Sequence, residues 1–262
     1  MEESTRGACW FPALEERGDG RQGGTVREWW REIGALVLPA VCAGCGAPPV
    51  VLCEHCRGEL SGKPAREVRP VPAPAGLPPV YAAAHYADQP RAVLLAHKER
   101  GALPLAAALG DALANGVRAA AGASRGGPLW LVPVPSARSA VARRGHDAVR
   151  RMALAAAGRL RGEGVPCRVL PLLRQRRPVL DQAGLTAVQR LANLTGALEA
   201  SVGGLPDDGV VVLVDDILTT GASLAEAARA VRAAGGRPAA AAVVAAVAAA
   251  PRGGRPGYPH RR

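Results

Sequence analysis

The chain contains very few aromatic residues: Phe, Trp and Tyr together make up 3% of its 262 residues. Hydrophobic residues still account for 48% of the sequence, so the core must be built largely from Ala, Val and Leu. A chain of this length can bury a sizeable core in one ordinary domain and still carry a small accessory module. The scarcity of aromatic side chains also leaves few platforms on which nucleic-acid bases could stack.

The sequence also lacks the long apolar runs that export and membrane insertion require. Its first thirty-odd residues mix Glu, Arg and Gly and contain no signal-peptide core with a small-residue cleavage site. Residues 239–250 are apolar but too short and too rich in Ala to span a membrane. We therefore expect a cytoplasmic chain in a reducing compartment. Its N-terminal extension, residues 1–37, is expected to be partly disordered, with a short amphipathic helix over residues 26–38.

The formal net charge of +11 favours phosphate-bearing partners on electrostatic grounds. The sequence is also biased towards Arg, Ala, Gly and Pro, which genome composition alone can produce. The charge by itself therefore does not decide for a nucleic-acid partner.

Two closely spaced cysteine pairs mark the N-terminal region. Seven residues separate the pairs, which are Cys42, Cys45, Cys53 and Cys56. Each pair spans a tight turn, and four thiolates satisfy a tetrahedral zinc ion. Two disulfides are the competing interpretation, but a reducing compartment disfavours them. A redox Cys-x-x-Cys is normally a single copy that opens a helix. The spacing favours a structural zinc module over residues 38–60, which leaves Cys9 and Cys167 as ordinary thiols.

The rest of the chain divides by composition. Residues 61–79 are rich in Pro and predict an extended, semi-rigid linker. From residue 80, predicted strands at 80–86, 129–135, 210–214 and 237–247 alternate with predicted helices at 91–98, 105–117, 148–160 and 224–234. This alternation predicts an α/β domain over residues 80–250, with a mostly parallel central sheet covered by helices on both faces. Residues 251–262 read as a solvated basic tail.

The most distinctive stretch runs from Val210 to Ser223. Five aliphatic residues predict a strand buried on both faces, and Asp215 and Asp216 follow directly. A loop of small residues then precedes a helix; it consists of Thr219, Thr220, Gly221, Ala222 and Ser223. Loop amides and a helix N-terminus can hold a phosphate, while the carboxylates can accept hydrogen bonds from sugar hydroxyls or help hold a divalent cation. The alternative is a strand whose polar end only caps the next helix, but capping needs one such residue rather than five in register.

Three further segments carry chemistry that the sequence leaves open. Arg138 follows a strand that ends in Pro-Ser, which is a second candidate anion loop. Lys98 lies in a basic break between two helices, which could face a phosphate or be a solvated helix end. Gln182 and Arg190 belong to a long polar segment that suits either a lid over a phosphate site or a surface helix.

The stretch at 210–223 resembles the phosphoribosyl-pyrophosphate (PRPP) signature of type I phosphoribosyltransferases. With the cysteine pairs, Val132-Pro133-Val134-Pro135 and Arg143-Arg144-Gly145-His146-Asp147 in the same order, the chain resembles the ComF (ComFC/GntX-like) family over roughly residues 38–248. It departs from that family at Arg144-Gly145-His146-Asp147-Ala148, where the family has Arg-Gly-Phe-Asn-Gln-Ala. It also departs at Lys98-Glu99-Arg100-Gly101, which lacks the family's aromatic residue.

The resemblance implies a type I phosphoribosyltransferase fold with a small N-terminal zinc-ribbon-like module, a structural Zn²⁺, and Mg²⁺ bound with PRPP. It implies that Asp215 and Asp216 are catalytic and engage the ribose hydroxyls, that Thr219 to Ser223 bind the 5′-phosphate, and that Arg138 binds the pyrophosphate. One hypothesis is phosphoribosyl transfer from PRPP to an unidentified acceptor, in association with DNA uptake. The other is a non-catalytic, PRPP-sensing factor that binds single-stranded DNA alongside competence or recombination proteins.

Overall fold

The structure is a computed structural model that describes residues 41–122, 127–177, 186, 189, 193–201 and 208–247. The predicted N-terminal extension, the predicted basic tail and both predicted lid residues, Gln182 and Arg190, lie outside the described residues. None of the helices in these ranges combines the length and the hydropathy that a membrane-spanning segment needs.

The described residues form six α-helices and eight β-strands. The helices are α1 Glu54–Ser61, α2 Asp88–Glu99, α3 Ala106–Gly122, α4 Arg138–Arg144, α5 Ala148–Gly162 and α6 Ala222–Ala233, with a 3₁₀ turn at Leu103–Leu105. The strands are β1 Arg66–Val68, β2 Val80–His85, β3 Leu129–Pro133, β4 Cys167–Val169, β5 Leu173–Gln175, β6 Leu198–Ala200, β7 Val210–Leu218 and β8 Pro238–Ala246.

Six of these strands form one sheet in the order β1-β2-β8-β7-β3-β4. The five strands from β2 to β4 in that order run parallel, and β1 joins the edge antiparallel to β2. The remaining strands, β5 and β6, pair with each other as a separate antiparallel hairpin. The predicted α/β fold with a mostly parallel sheet is confirmed. β1 lies within the segment predicted as a linker, where its length of three residues left little sequence signal.

The central strand β7 separates two layers of core. Val210, Val212 and Val214 pack in one cluster with α2, α3 and α5, while Val211 and Leu213 pack in another with α6 and the β5–β6 hairpin. Because alternate residues face opposite sides of a strand, burial on both faces requires the unbroken aliphatic run seen in the sequence. Small residues let the helices approach closely: a Cβ added at Gly110 of α3 would lie 2.4 Å from Cβ of Ala155 in α5.

The cysteine segment packs against the first of these layers. Leu60 of α1 is fully buried in the cluster that contains α2 and α3. Asn115 Nδ2 of α3 donates a hydrogen bond of 2.9 Å to the carbonyl oxygen of Ser61 at the end of α1. The position of α2 is therefore supported from the side of the four cysteines.

The β5–β6 hairpin is fixed to α6 by a buried carboxylate. Glu226 is 5% exposed, and its Oε1 accepts a hydrogen bond of 3.0 Å from the backbone N–H of Leu198. Arg229 donates to Glu226 and to the carbonyl oxygen of Leu198, each at 2.8 Å. The hairpin is thereby attached to the helix that follows the Asp-Asp motif.

Replacing Glu226 with Ala is expected to lower the free energy of unfolding by about 2 kcal/mol, because the buried Leu198 N–H loses its acceptor. Urea denaturation measures the loss. Glu199→Ala is a matched control on the same hairpin: Glu199 pairs with Arg174 and Arg176, both more than half exposed, and should cost only about 0.5 kcal/mol. Equal losses in the two variants would contradict this role for Glu226.

Candidate functional site

The Asp-Asp pair lies in the last part of β7 rather than after it. β7 pairs with β3 only as far as Val214, opposite Pro133, whereas its pairing with β8 continues to Leu218. The sequence predicted that the strand ends at residue 214, and this boundary was wrong because β8 holds four further residues in extended form. Beyond Val214 one edge of β7 is no longer covered by β3. Both carboxylates belong to this segment of β7, which we call its open edge.

A tight loop joins β7 to α6. It consists of Thr219, Thr220 and Gly221, since α6 begins at Ala222. Gly221 has φ of 78°, in the left-handed region that favours glycine, and a Cβ there would lie 3.0 Å from Cδ2 of Leu77. The Oγ1 of Thr220 accepts a 3.4 Å hydrogen bond from the N–H of Ala222.

The five residues predicted to bind the 5′-phosphate therefore share one turn at the start of α6. The first N–H groups of a helix have no partners within the helix, and its dipole favours an anion there. Thr219 is exposed and Ser223 is half-buried, so both hydroxyls lie near the surface at this end of the helix. The turn has the chemistry of an anion site.

The two carboxylates differ in surroundings. Asp216 is 5% exposed, and its Oδ2 accepts a hydrogen bond of 2.5 Å from Nζ of Lys98. Asp215 is half-buried, and its Oδ1 accepts a 2.8 Å hydrogen bond from the N–H of Asp216. Burial raises the pKa of Asp215 well above its usual range, and the neighbouring Asp216 carboxylate raises it further, against the opposing effect of Lys98.

Lys98 belongs to the last turn of α2 and reaches the acidic pair across 118 positions of sequence. Burial disfavours its charged form, but the Asp216 carboxylate and, to a smaller extent, the Asp215 carboxylate together outweigh that effect, so the pKa of Lys98 is raised. The sequence alone left two roles open for Lys98: it could face a phosphate, or it could lie at a solvated helix end. A usable signal was its rarity: the chain has 33 Lys and Arg residues, of which only Lys63 and Lys98 are lysines.

Arg138 follows β3 at the end of the sheet where β7 carries its two carboxylates. It is the first residue of α4, and four positions before it the N–H of Val134 donates a 2.9 Å hydrogen bond to the carbonyl oxygen of Val214. The β3–α4 loop is thus adjacent to β7 just before the carboxylates. The side chain of Arg138 is exposed, and within the described ranges no carboxylate pairs with it.

The four predicted zinc ligands lie together. One sulfur from each of Cys42, Cys45, Cys53 and Cys56 falls within 4.8 Å of the others. The Sγ of Cys53 is 3.7 Å from the Sγ of Cys42 and 3.7 Å from that of Cys45.

These sulfur distances distinguish a metal site from disulfides. A disulfide has an S–S bond of about 2 Å, whereas sulfurs bound at about 2.3 Å around a tetrahedral zinc lie about 3.8 Å apart. Although burial opposes it, hydrogen bonds from backbone N–H groups lower the pKa of Cys42 to about 6, which favours the thiolate that metals bind. Burial and the neighbouring sulfurs raise the pKa of Cys56. The group could therefore hold a metal such as zinc.

Two comparisons with known proteins bear on the segment that contains the Asp-Asp pair. A search of curated proteins finds no match to the chain. A family model described as "Phosphoribosyl transferase domain" matches residues 168–256. That span contains β7, the loop at Thr219–Gly221, α6 and β8, and hence the whole strand–loop–helix unit with its two carboxylates. The chain therefore carries a phosphoribosyltransferase domain, preceded by a four-cysteine group able to hold a metal.

Proposed function

We propose that the chain binds PRPP at the open edge of β7 and transfers its phosphoribosyl group to an acceptor. The observation that carries this proposal is the placement of the Asp-Asp pair one short loop before a helix N-terminus, inside the span that matches the phosphoribosyltransferase domain. The 5′-phosphate would lie on Thr219 to Ser223, as anions do at helix N-termini. Asp215 and Asp216 would accept hydrogen bonds from the ribose 2′- and 3′-hydroxyls.

The proposed reaction breaks the bond between C1 of the ribose and the pyrophosphate, and the electron pair leaves with the pyrophosphate. The lone pair of an acceptor nitrogen forms the new bond to C1, through a transition state with oxocarbenium character, and the proton of that nitrogen passes to the released pyrophosphate or to water. Carboxylates beside the ribose stabilise the positive charge that develops there, and a cation stabilises the leaving group. Exposed Arg138 is the proposed contact for the pyrophosphate, while Lys98 supplies a counter-charge to Asp216.

Mg²⁺ is the metal expected with PRPP. The half-buried carboxylate of Asp215 at the open edge is a hard oxygen ligand of the kind that Mg²⁺ prefers. When bound with the pyrophosphate, the ion would neutralise part of its charge.

Release of pyrophosphate from PRPP in the presence of candidate acceptors tests the proposal. A panel of purine and pyrimidine bases and simple amines is expected to include an acceptor that stimulates release. The Lys98→Met variant should lose most of that stimulated rate, whereas Lys63→Met, at the other lysine, should keep it. Stimulated release that is equal in wild type and Lys98→Met would contradict the assigned site.

The resemblance also predicts a role with single-stranded DNA, and the net charge of +11 is the observation that favours it. Binding through phosphates should weaken steeply as salt is raised. The absence of binding at low salt would remove this alternative, together with the predicted partners in DNA uptake. The cytoplasmic location likewise stays a prediction.

A further inference from the structure

The C-terminal end of α2 is held by side chains from a distant part of the chain. The last carbonyl groups of a helix lack partners within the helix. In α2, the carbonyl oxygen of Ala96 accepts from the N–H groups of Arg100 and Ala102, at 3.2 and 3.1 Å. The next two carbonyls, those of His97 and Lys98, need donors from elsewhere.

Both donors come from the segment that runs from the last residue of α4 to the residue before α5, Arg144–Asp147, which we call the α4–α5 turn. His146 Nε2 lies 3.2 Å from the carbonyl oxygen of His97, and its Nδ1 lies 3.2 Å from the carbonyl oxygen of Arg144; the tautomer with hydrogen on Nε2 donates to His97. Arg144 Nη1 donates to the carbonyl oxygen of Lys98 at 3.3 Å. A cationic side chain at the C-terminus of a helix also interacts favourably with the helix dipole. The turn therefore caps α2 in trans.

The capping side chains are enclosed. The Arg144 side chain is 5% exposed and His146 is 8% exposed. Arg144 also donates to the carbonyl oxygen of Ala140 at 3.0 Å, and the His146 ring lies with its centre 5.5 Å from that of buried His97. Buried polar groups are costly without their hydrogen bonds, so these contacts stabilise the observed position of the end of α2.

The capped residue is the one that reaches the acidic pair. Lys98 offers its carbonyl oxygen to Arg144 and its Nζ to Asp216. Fixing the backbone at Lys98 therefore fixes the origin of the side chain that contacts Asp216. A displacement of about 1 Å in such an arrangement is enough to cost much of a site's function.

We infer that Arg144 and His146 are positioning residues, which hold Lys98 against Asp216 and so set the affinity of the PRPP site. The inference rests on the proposed function for its consequence, but the positioning of Lys98 can be measured without any ligand. It also gives a role to a sequence motif that the reaction itself does not use. The Arg144 and His146 side chains are buried against α2 and would act through Lys98 rather than on substrate.

The scarcity of lysine provides the probe. Full-length protein labelled with ¹³C-lysine gives ε-CH₂ signals from Lys98 and Lys63 only, and Lys63, with a side chain 72% exposed, is an internal reference. Arg144→Met and His146→Leu are expected to move the Lys98 signal towards that of Lys63. His146→Gln, which keeps a donor near the position of Nε2, should restore it.

Arg143→Met is the matched control, because Arg143 is 70% exposed and pairs with the Glu99 side chain of α2 at 3.3 Å. Arg144 pairs with the same side chain at 3.4 Å but also donates to a backbone carbonyl of α2. Its Lys98 signal should stay at the wild-type position. If His146→Leu fails to fold, His146→Asn, which is too short to reach the carbonyl of His97, takes its place. A Lys98 signal that none of the turn variants moves would overturn the inference.

Titration with Mg²⁺ and PRPP separates this inference from the proposed function. The Arg144→Met and His146→Leu variants are expected to bind PRPP about fivefold more weakly, as the loss of one hydrogen bond predicts. In a Lys98→Met background the same changes should have no further effect, whereas a general structural role would give additive losses. Failure of PRPP to move the wild-type Lys98 signal would overturn the proposed function alone, provided that the turn variants move that signal.

Discussion

Asp215→Asn is expected to stabilise the ligand-free protein, whereas Asp216→Asn is expected to destabilise it. Each substitution should lower the affinity for PRPP about 100-fold. The affinity loss follows from replacing a charged hydrogen-bond acceptor of the ribose hydroxyls. The opposite stability changes follow from the unequal surroundings of the two carboxylates. Urea denaturation of the ligand-free protein measures the stability, and calorimetric titration measures the affinity.

The gain at position 215 comes from removing an unfavourable charge. The surrounding protein and the Asp216 carboxylate both raise the pKa of Asp215, while its accepting oxygen is retained in Asn. Relief of such strain at a functional site typically adds about 1 kcal/mol. The loss at position 216 is expected to be about 2 kcal/mol, because Lys98 keeps its charge in a partly buried position without its partner.

The pH dependence gives a second, independent reading of Asp215. Because its pKa is raised in the folded state, the folded chain holds this proton more tightly than the unfolded chain. The contribution of Asp215 to stability therefore falls as pH rises from the ordinary carboxyl range through the raised value. Asp215→Asn should remove that fall. Equal destabilisation by Asp215→Asn and Asp216→Asn would contradict the assigned roles.

Loss of the metal from the four-cysteine group is the second large effect expected. Cys53→Ser, or treatment with a strong zinc chelator, should lower the free energy of unfolding by about 4 kcal/mol or more, since structural zinc contributes directly to folding energy. A metal held by these sulfurs, of which Cys53 lies 3.7 Å from two others, would be their common partner, and its removal would leave them without one. Because α1 packs beside α2, which carries Lys98, PRPP affinity should fall as well.

Metal analysis combined with urea denaturation checks this expectation. Cys167→Ala is the matched control, because Cys167 is buried outside the group and burial raises the pKa of its thiol to about 11. It should keep the metal and lose only about 1 kcal/mol. A protein that is free of metal and unchanged in stability would refute a structural metal at this group.

The parts of the fold that the sequence predicted are those with local signals. The aliphatic run at β7 marked a strand buried on both faces, and α6 was predicted two residues short at its start. The helix starts earlier than predicted because Gly221, in the left-handed conformation, turns the chain directly into α6. The N-cap residue is thus glycine and not a residue with a hydroxyl side chain. The cysteine spacing marked a set of four sulfurs that the structure brings together.

The parts that escaped prediction depend on contacts between distant residues. The end of β7 is set by its pairing with β8 and not by composition. Short α4 was not predicted, because its seven residues, rich in Arg and Ala, show no apolar period. The ion pair of Lys98 with Asp216 and the capping of α2 by Arg144 and His146 join separate segments of the chain. No local pattern specifies such contacts.

Calorimetric titration of the full chain with PRPP in the presence of Mg²⁺ tests the central claim most directly. Ribose 5-phosphate and pyrophosphate, titrated separately, represent the two halves of the ligand. We expect PRPP to bind more tightly than either half, and to bind about 100-fold more weakly to the Asp215→Asn and Asp216→Asn variants. No binding of PRPP at about 1 mM, well above the concentrations at which specific ligands bind, or equal binding in the variants, would contradict a PRPP site at the end of β7.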